Sequence, residues 1–253
     1  MKGRPGPIIL APKKMLRALP ILCLAAAGAA AQDSPLAPAP APSPATSAAA
    51  AVPVPLNGTI ENGIYTSPTG GFKITIPVLA SLGGVVEDTN RVVTFHDAYG
   101  IQISVGAFQH DATQKWQLST RGIKDYLIYF YGTYVLPDFK RFCPGTTTES
   151  AGFSADFLDG ALFTYVLLPG GSMVEQHATF GPPTTPPVAK RGNLLFVRNG
   201  YTFVISTELS ERVTEGSHYK KTVQEEDQLL RDRLVGIVKK MEFVKPAPKA
   251  AIP

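Results

Sequence analysis

The 253-residue chain is poor in the residues that most often carry chemistry: it has two cysteines, one tryptophan and four histidines. Cys23 lies inside an apolar leader, so a mature chain keeps only Cys143 and forms no intramolecular disulfide. Such a fold depends on its hydrophobic core, and the lone thiol reads as a small buried apolar residue rather than a nucleophile. His96, His110, His177 and His218 stand at no compact spacing with one another or with cysteine, which excludes the usual zinc motifs. No glycine-rich phosphate loop with Lys-Ser/Thr and no dinucleotide fingerprint is present. No cofactor, no metal ligand and no catalytic residue is therefore assigned.

Four local patterns approach chemistry and stop short. Gly152-Phe153-Ser154-Ala155-Asp156 matches a nucleophile elbow for three positions, then places Asp where the second Gly is needed, inside a strand-forming stretch. His96-Asp97 reads as polarity at a strand end. Glu87, Asp88 and Asn90 offer oxygens to a calcium ion, yet a turn between two strands accounts for them. Asn57-Gly58-Thr59 is a glycosylation sequon, relevant only in a host that secretes through an endoplasmic reticulum.

Acidic residues are missing from the first 32 positions, where Lys2, Arg4, Lys13, Lys14 and Arg17 stand alone. The nominal charge of +4 comes from this leader; without those five residues, 19 basic side chains face 20 acidic ones. A large basic face for nucleic acid is excluded. The basic residues, the run LPILCLAAAGAAA and the small residues Ala29-Ala30-Ala31 form an export signal over residues 1–31, with Met15 as an alternative start. The run is too short and alanine-rich for a membrane span, so none is expected in the mature chain. Leu22 stands before Cys23, where a lipoprotein signal requires a small residue. The expected destination is the periplasm or the medium.

Residues 32–57 are rich in Pro and Ala and lack apolar periodicity, which predicts an extended tether of polyproline character. Residues 246–253 look similar, leaving a single domain over 58–245. Its clearest local signal is NLLFVRNGYTFVIST (193–207): Asn199-Gly200 between two strand-forming runs predicts a type I′ hairpin. Both faces of its incoming strand are largely apolar, as in a sheet covered on both sides. Phe72, Ile74 and Ile76 alternate into a half-buried strand stopped by Pro77; 91–97 and 101–108 form another hairpin; 152–158 and 161–168 are strands joined at Asp159-Gly160. Residues 181–192 read as a Pro-rich surface loop. The stretch 118–136 reads as a helix capped by Ser119 or Thr120, with Ile123, Leu127, Phe130 or Tyr131, and Tyr134 on its buried face. In the last helix, Thr222 and Glu225 make a capping box, and Leu230, Leu234, Ile237, Val238 and Met241 form the apolar stripe. The element order gives an α+β sandwich with a mainly antiparallel sheet.

IYTSPTGGFKITIPV (64–78) and LVGIVKKMEFV (234–244) resemble the opening and closing segments of the PsbP/Mog1-like superfamily: an aromatic residue, a Gly-Phe pair and a short strand ending in Pro, then a last helix running into a short strand. The likeness covers about residues 62–245. It implies an α/β/α sandwich around an antiparallel sheet. Members include lumenal subunits of photosystem II, a nuclear Ran-binding protein and bacterial exported proteins, which look like accessory modules without shared catalytic residues. None of their partner-specific residues is matched here.

The resulting expectation is an exported, non-enzymatic module that binds a protein or envelope component. One alternative is a small-ligand carrier with an apolar pocket between the sheet and helix 118–136. Another is a hydrolase with dispersed catalytic residues, for which Ser154 and Cys143 are the test positions. Trp116, Tyr126 and Tyr129 are the candidate binding residues, because Tyr126 and Tyr129 fall off the apolar stripe and, with Trp116, would form an exposed aromatic patch.

Overall fold

The computed structural model describes residues 55–171 and 188–245. The expected signal peptide, nearly all of the tether, residues 172–187 and the tail lie outside the described residues. The described elements run, in order, β1 (Thr59–Glu61), β2 (Ile64–Thr66), β3 (Phe72–Thr75), β4 (Val85–Asp88), β5 (Val92–His96), β6 (Gln102–Gln109), α1 (Ala112–Phe130), α2 (Leu136–Phe142), β7 (Thr147–Ser154), β8 (Ala161–Pro169), β9 (Val188–Arg198), β10 (Tyr201–Glu208), α3 (Glu211–Thr214), α4 (Val223–Val238) and β11 (Met241–Phe243).

Asn199 and Gly200 sit at φ 50° and 78°, the left-handed pair that a type I′ turn requires. The turn sets the register Tyr201↔Arg198 and brings β9 and β10 into the middle of a seven-stranded antiparallel sheet, ordered β4-β5-β6-β10-β9-β8-β7. Every residue of β10 is buried, because layers cover both sheet faces. Tyr201, Phe203 and Ile205 enter one core with Phe95, Phe196 and Leu230; Val204 enters the other with Leu195, Leu127 and Phe130. The sheet consists of two meanders, β4-β5-β6 and β7-β8-β9-β10, that meet where β10 pairs with β6.

Helices α1 and α2 cover one face and α4 the other, giving the expected sandwich. On the α4 side there is also a four-stranded antiparallel sheet, β1-β2-β3-β11. Thr222 caps α4, its hydroxyl accepting from the Glu225 N–H, while Glu225 accepts from the Thr222 N–H at 2.7 Å. Leu230, Leu234, Ile237 and Val238 are buried as the stripe predicts. The helix ends before Met241, which opens β11 and pairs with Ile74 of β3. Gly192 lets α4 approach β9: a Cβ there would stand 3.0 Å from Leu230 Cβ.

Three expectations need correction. α1 begins at Asp111, not at Ser119 or Thr120: Asp111 Oδ1 accepts from the Gln114 N–H at 2.8 Å, and Gln114 Oε1 accepts from the Asp111 N–H at 3.2 Å. The Ser119 and Thr120 hydroxyls instead donate to the Trp116 carbonyl, one turn before a break at Gly122 (φ 74°, ψ 166°), a conformation open in practice only to glycine. β7 ends at Ser154 rather than 158, because Leu158, Asp159 and Gly160 all take positive φ and make a longer turn. Residues 188–192 belong to buried strand β9 rather than a surface loop, with Lys190 and Arg191 enclosed; 181–187 lie outside the described residues.

Candidate functional site

Alternation along β5, β6 and β10 turns Val92, Ser104, Gly106, Phe108, Val204 and Ser206 toward the helix layer. α1 lies over β8 and β9, so the β5-β6-β10 part of that face remains partly open. Its roof is the chain just after α1. Tyr131–Val135 form a single π-helical turn and lead into α2, where Pro137 sits in the first turn. Pro137 cannot donate to the carbonyl four residues back and its ring crowds that position; the widened turn absorbs both demands. The extra residue in the turn also shifts the helix phase: Tyr131 and Val135 point inward, and Tyr134, expected on the buried face, stands exposed at the rim.

Floor and roof enclose a largely apolar cleft of about 320 Å3, lined by these strand residues and by Phe130, Tyr134, Val135, Asp138 and Phe139. It falls within the size range of small-molecule pockets. Gly106 shapes the floor. A Cβ at this position would lie 2.7 Å from Phe108 Cε2, so the Phe108 ring leans over bare backbone. That ring meets Phe130 at 5.6 Å, and Phe130 meets Tyr134 at 5.0 Å, forming an aromatic wall.

At the polar end of the floor, Ser104 and Ser206 are directly opposed across β6 and β10. Arg191 Nη2 donates to Ser104 Oγ at 2.6 Å and Arg191 Nη1 to Glu208 Oε1 at 2.8 Å. Gln102, with its amide nitrogen toward Glu208, donates to both carboxylate oxygens at 2.9 and 2.6 Å. Arg191 Cζ lies 5.6 Å from the Phe139 ring, and Arg191 Nε has no hydrogen-bond partner among the described residues. Cys143 lies just after α2; burial, with the Glu208 charge adding to it, pushes its thiol up. A protonated thiol is a poor nucleophile.

A second ionic cluster occupies the other sheet face. Lys190 Nζ, fully buried, stands 2.5 Å from Glu149, 3.0 Å from Glu226 and 2.6 Å from Asp227. Arg212 Nη1 pairs with Glu226 at 2.8 Å, and the Ser150 hydroxyl donates to Asp227 at 2.6 Å. This cluster ties β7, β9, α4 and α3 together.

The three aromatic residues chosen from the sequence do not form one patch. Tyr126 is fully buried: its hydroxyl lies 2.7 Å from Thr202 Oγ1, which in turn lies 2.8 Å from His110 Nε2. The break at Gly122 resets the helix phase and turns Tyr126 onto the core side, where the Thr202 and His110 partners satisfy its hydroxyl. Tyr129 is half-buried under the Arg121 guanidinium, 4.5 Å from its ring centre, and touches Tyr134. Trp116 is exposed, with no ring contact to Tyr129 among the described residues. The cleft residues escaped sequence reasoning. Only the alternation of Ser104, Gly106 and Phe108, small and polar on one face of an otherwise apolar strand, could have signalled them.

The near-motifs resolve into structural roles. Asp97 accepts from the Tyr99 and Ile101 N–H groups at 2.9 Å each, closing the β5–β6 turn. Asp88 accepts from the Asn57 N–H (2.8 Å), the Gly58 N–H (2.7 Å) and the Tyr65 hydroxyl (2.7 Å). Burial alone would raise its carboxyl; these donors more than reverse that and hold it below the usual range. The Asn57 side chain is itself engaged, donating to Asp88 Oδ1 at 3.1 Å. Among the described residues, no helix is long and apolar enough to cross a membrane.

No protein-family model and no curated protein matches the chain. Among solved structures it is similar to the Ran-binding protein Mog1p of Saccharomyces cerevisiae, at 11% identity and a TM-score of 0.41, over 76% of this chain and 97% of that one. It is also similar to the cyanobacterial PsbP (CyanoP) of Synechocystis, at 11% identity and a TM-score of 0.39, over 72% and 91% of the two chains. A protein of Bacteroides thetaiotaomicron aligns at 11% identity and a TM-score of 0.35, over 76% of this chain and 52% of that one. All three likenesses stand at 11% identity and TM-scores below 0.5, and nothing of those proteins' roles is carried to this chain.

Proposed function

We propose that the protein is an exported, non-enzymatic binding module whose ligand seat is the cleft between the π turn and the β5-β6-β10 floor. The observation that carries this reading is the cleft itself: about 320 Å3, mostly apolar, with two serine hydroxyls and a buried guanidinium grouped at one end. The arrangement suits holding rather than turnover. Ser104 is hydrogen-bonded to a guanidinium, not to a base that would take its proton, and Cys143 is held as a thiol. Of the binding readings drawn from the sequence, carriage of a small ligand between sheet and helix is the one this cleft supports.

Binding is tested with N-phenyl-1-naphthylamine, an uncharged apolar fluorophore. Saturable one-to-one binding is expected, lost in Val92→Trp, which fills the half-buried rim, and kept in Ile128→Trp, which alters exposed surface. Equal binding by both variants would overturn the assignment. Export is tested by the N-terminus of the processed chain, expected at Gln32 in the periplasm or medium. A second reading, engagement of a protein partner on the helix layer, rests on the exposure of Trp116 and Phe142, 60% each. Photo-cross-linking in cells would then give an adduct from position 116 and none from Lys73 on the small sheet.

A further inference from the structure

We infer that the occupant of the cleft is a small, uncharged apolar molecule headed by a hydrogen-bond-accepting oxygen, of the ketone, ester or amide class, held by the hydroxyls of Ser104 and Ser206. This rests on the cleft being the binding site and adds the chemistry of its ligand.

The two serines are register partners on neighbouring strands and face the cleft. Directly opposed residues have Cβ atoms about 4.5–5.5 Å apart, so a single acceptor atom lies within reach of both hydroxyls. Ser104 Oγ accepts from Arg191, which leaves its own proton to donate elsewhere. The Ser206 hydroxyl has no hydrogen-bond partner among the described residues. The floor therefore presents two donors and calls for an acceptor. The charged bond from Arg191 polarises the Ser104 hydroxyl and strengthens what it donates.

Charge selects an uncharged head. Glu208 already neutralises Arg191 at 2.8 Å, and Asp138, which lines the cleft, is paired with Arg141 at 2.8 Å, so the site offers no free cation among the described residues. A carboxylate head would bring an uncompensated negative charge into a site of low polarity whose nearby guanidinium is already neutralised. An ammonium head would meet two donors and a guanidinium. A neutral carbonyl oxygen accepts both hydroxyls with no charge cost, and Phe108, Phe130, Val135 and Phe139 surround the chain or ring behind it. At about 320 Å3 the cleft lies at the small end of ligand sites, which limits that body to a short one.

The test uses the full processed protein and three compounds with a common body: octanamide, octanoate and octylammonium, each displacing N-phenyl-1-naphthylamine at neutral pH. Octanamide is expected to bind at least about ten-fold more tightly than either ion, the size of one or two neutral hydrogen bonds. Ser206→Ala should remove most of that preference, read as the ratio of octanamide to octanoate affinity, with thermal stability unchanged since its hydroxyl bonds no described residue, and Ser206→Thr, which keeps the hydroxyl, should restore it. The double variant Ser104→Ala with Ser206→Ala should remove the rest. Fluorophore binding without octanamide preference, preference for octanoate, or indifference to both serines would overturn this inference alone. Failure of the fluorophore to bind would overturn the cleft assignment itself.

Discussion

Lys190 and Arg191 are adjacent in β9 and send their side chains to opposite faces of the same sheet. Lys190 is closed in: three carboxylates within 3.0 Å, one from β7 and two from helix α4, surround its fully buried ammonium. Arg191 keeps one carboxylate partner and spends a second donor on a serine that lines the cleft, and its Nε is unpartnered among the described residues. The difference separates two uses of a buried cation. On one face the charge is consumed by the fold, joining four elements. On the other, part of its hydrogen-bonding capacity is directed at an opening.

The largest effect expected from this contrast is on stability. Lys190→Met should lower the unfolding free energy by about 3 kcal/mol in urea titrations, because it takes the ammonium from buried Glu226 and from part-buried Glu149 and Asp227. Arg191→Met should cost less, since Gln102 still serves Glu208, but should weaken the octanamide preference, because Ser104 loses the bond that polarises it. Equal costs would erase the distinction. A second test is alkaline titration. Burial works against the Lys190 charge, yet Asp227, Glu149 and Glu226 together raise its pKa above the ordinary lysine value. Its contribution is present in full below the unfolded value of about 10.4 and is lost as pH climbs through the higher folded value. Lys190→Met should flatten stability against pH in that window, and Arg191→Met should not.

Acid titration gives a smaller effect at a site remote from both cations. The Asp88 pKa is lowered, so its contribution is present above the unfolded value of about 3.9 and disappears as pH falls through the folded one. Asp88→Asn should blunt the fall in stability below about pH 4, measured by thermal unfolding. The smallest effect belongs to the aromatic positions. Tyr126→Phe should cost about 1 kcal/mol by removing the hydroxyl bonded to Thr202. Tyr129→Phe should be silent in the same denaturant titration.

Local signals carried much of the fold. Asn199-Gly200 and the Thr222–Glu225 box each fix their geometry within four residues, so hairpin and last helix were readable. The start of α1 was not: Ala112–Arg121 holds few apolar residues, and without periodicity the Asp111–Gln114 box had no stripe to announce. Lys190 and Arg191 read as surface charges because their partners are far along the chain, Glu226 by 36 positions and Glu208 by 17. The cleft was least visible. It needs Gly106, the π turn ahead of Pro137 and the β6–β10 register that sets Ser104 against Ser206, and only the first two are local.

That register has a consequence for when the protein becomes competent to bind. The Thr207 hydroxyl reaches the Gln102 carbonyl across 105 residues. Pairings of such separation form late, after the chain has closed a long loop. Until β10 docks, β6 is a bare edge, Ser104 has no opposing hydroxyl and Arg191 no serine to reach. The ligand seat is therefore a by-product of a long-range closure. A chain stopped before Tyr201 would carry the helix roof and half the floor yet hold nothing between them.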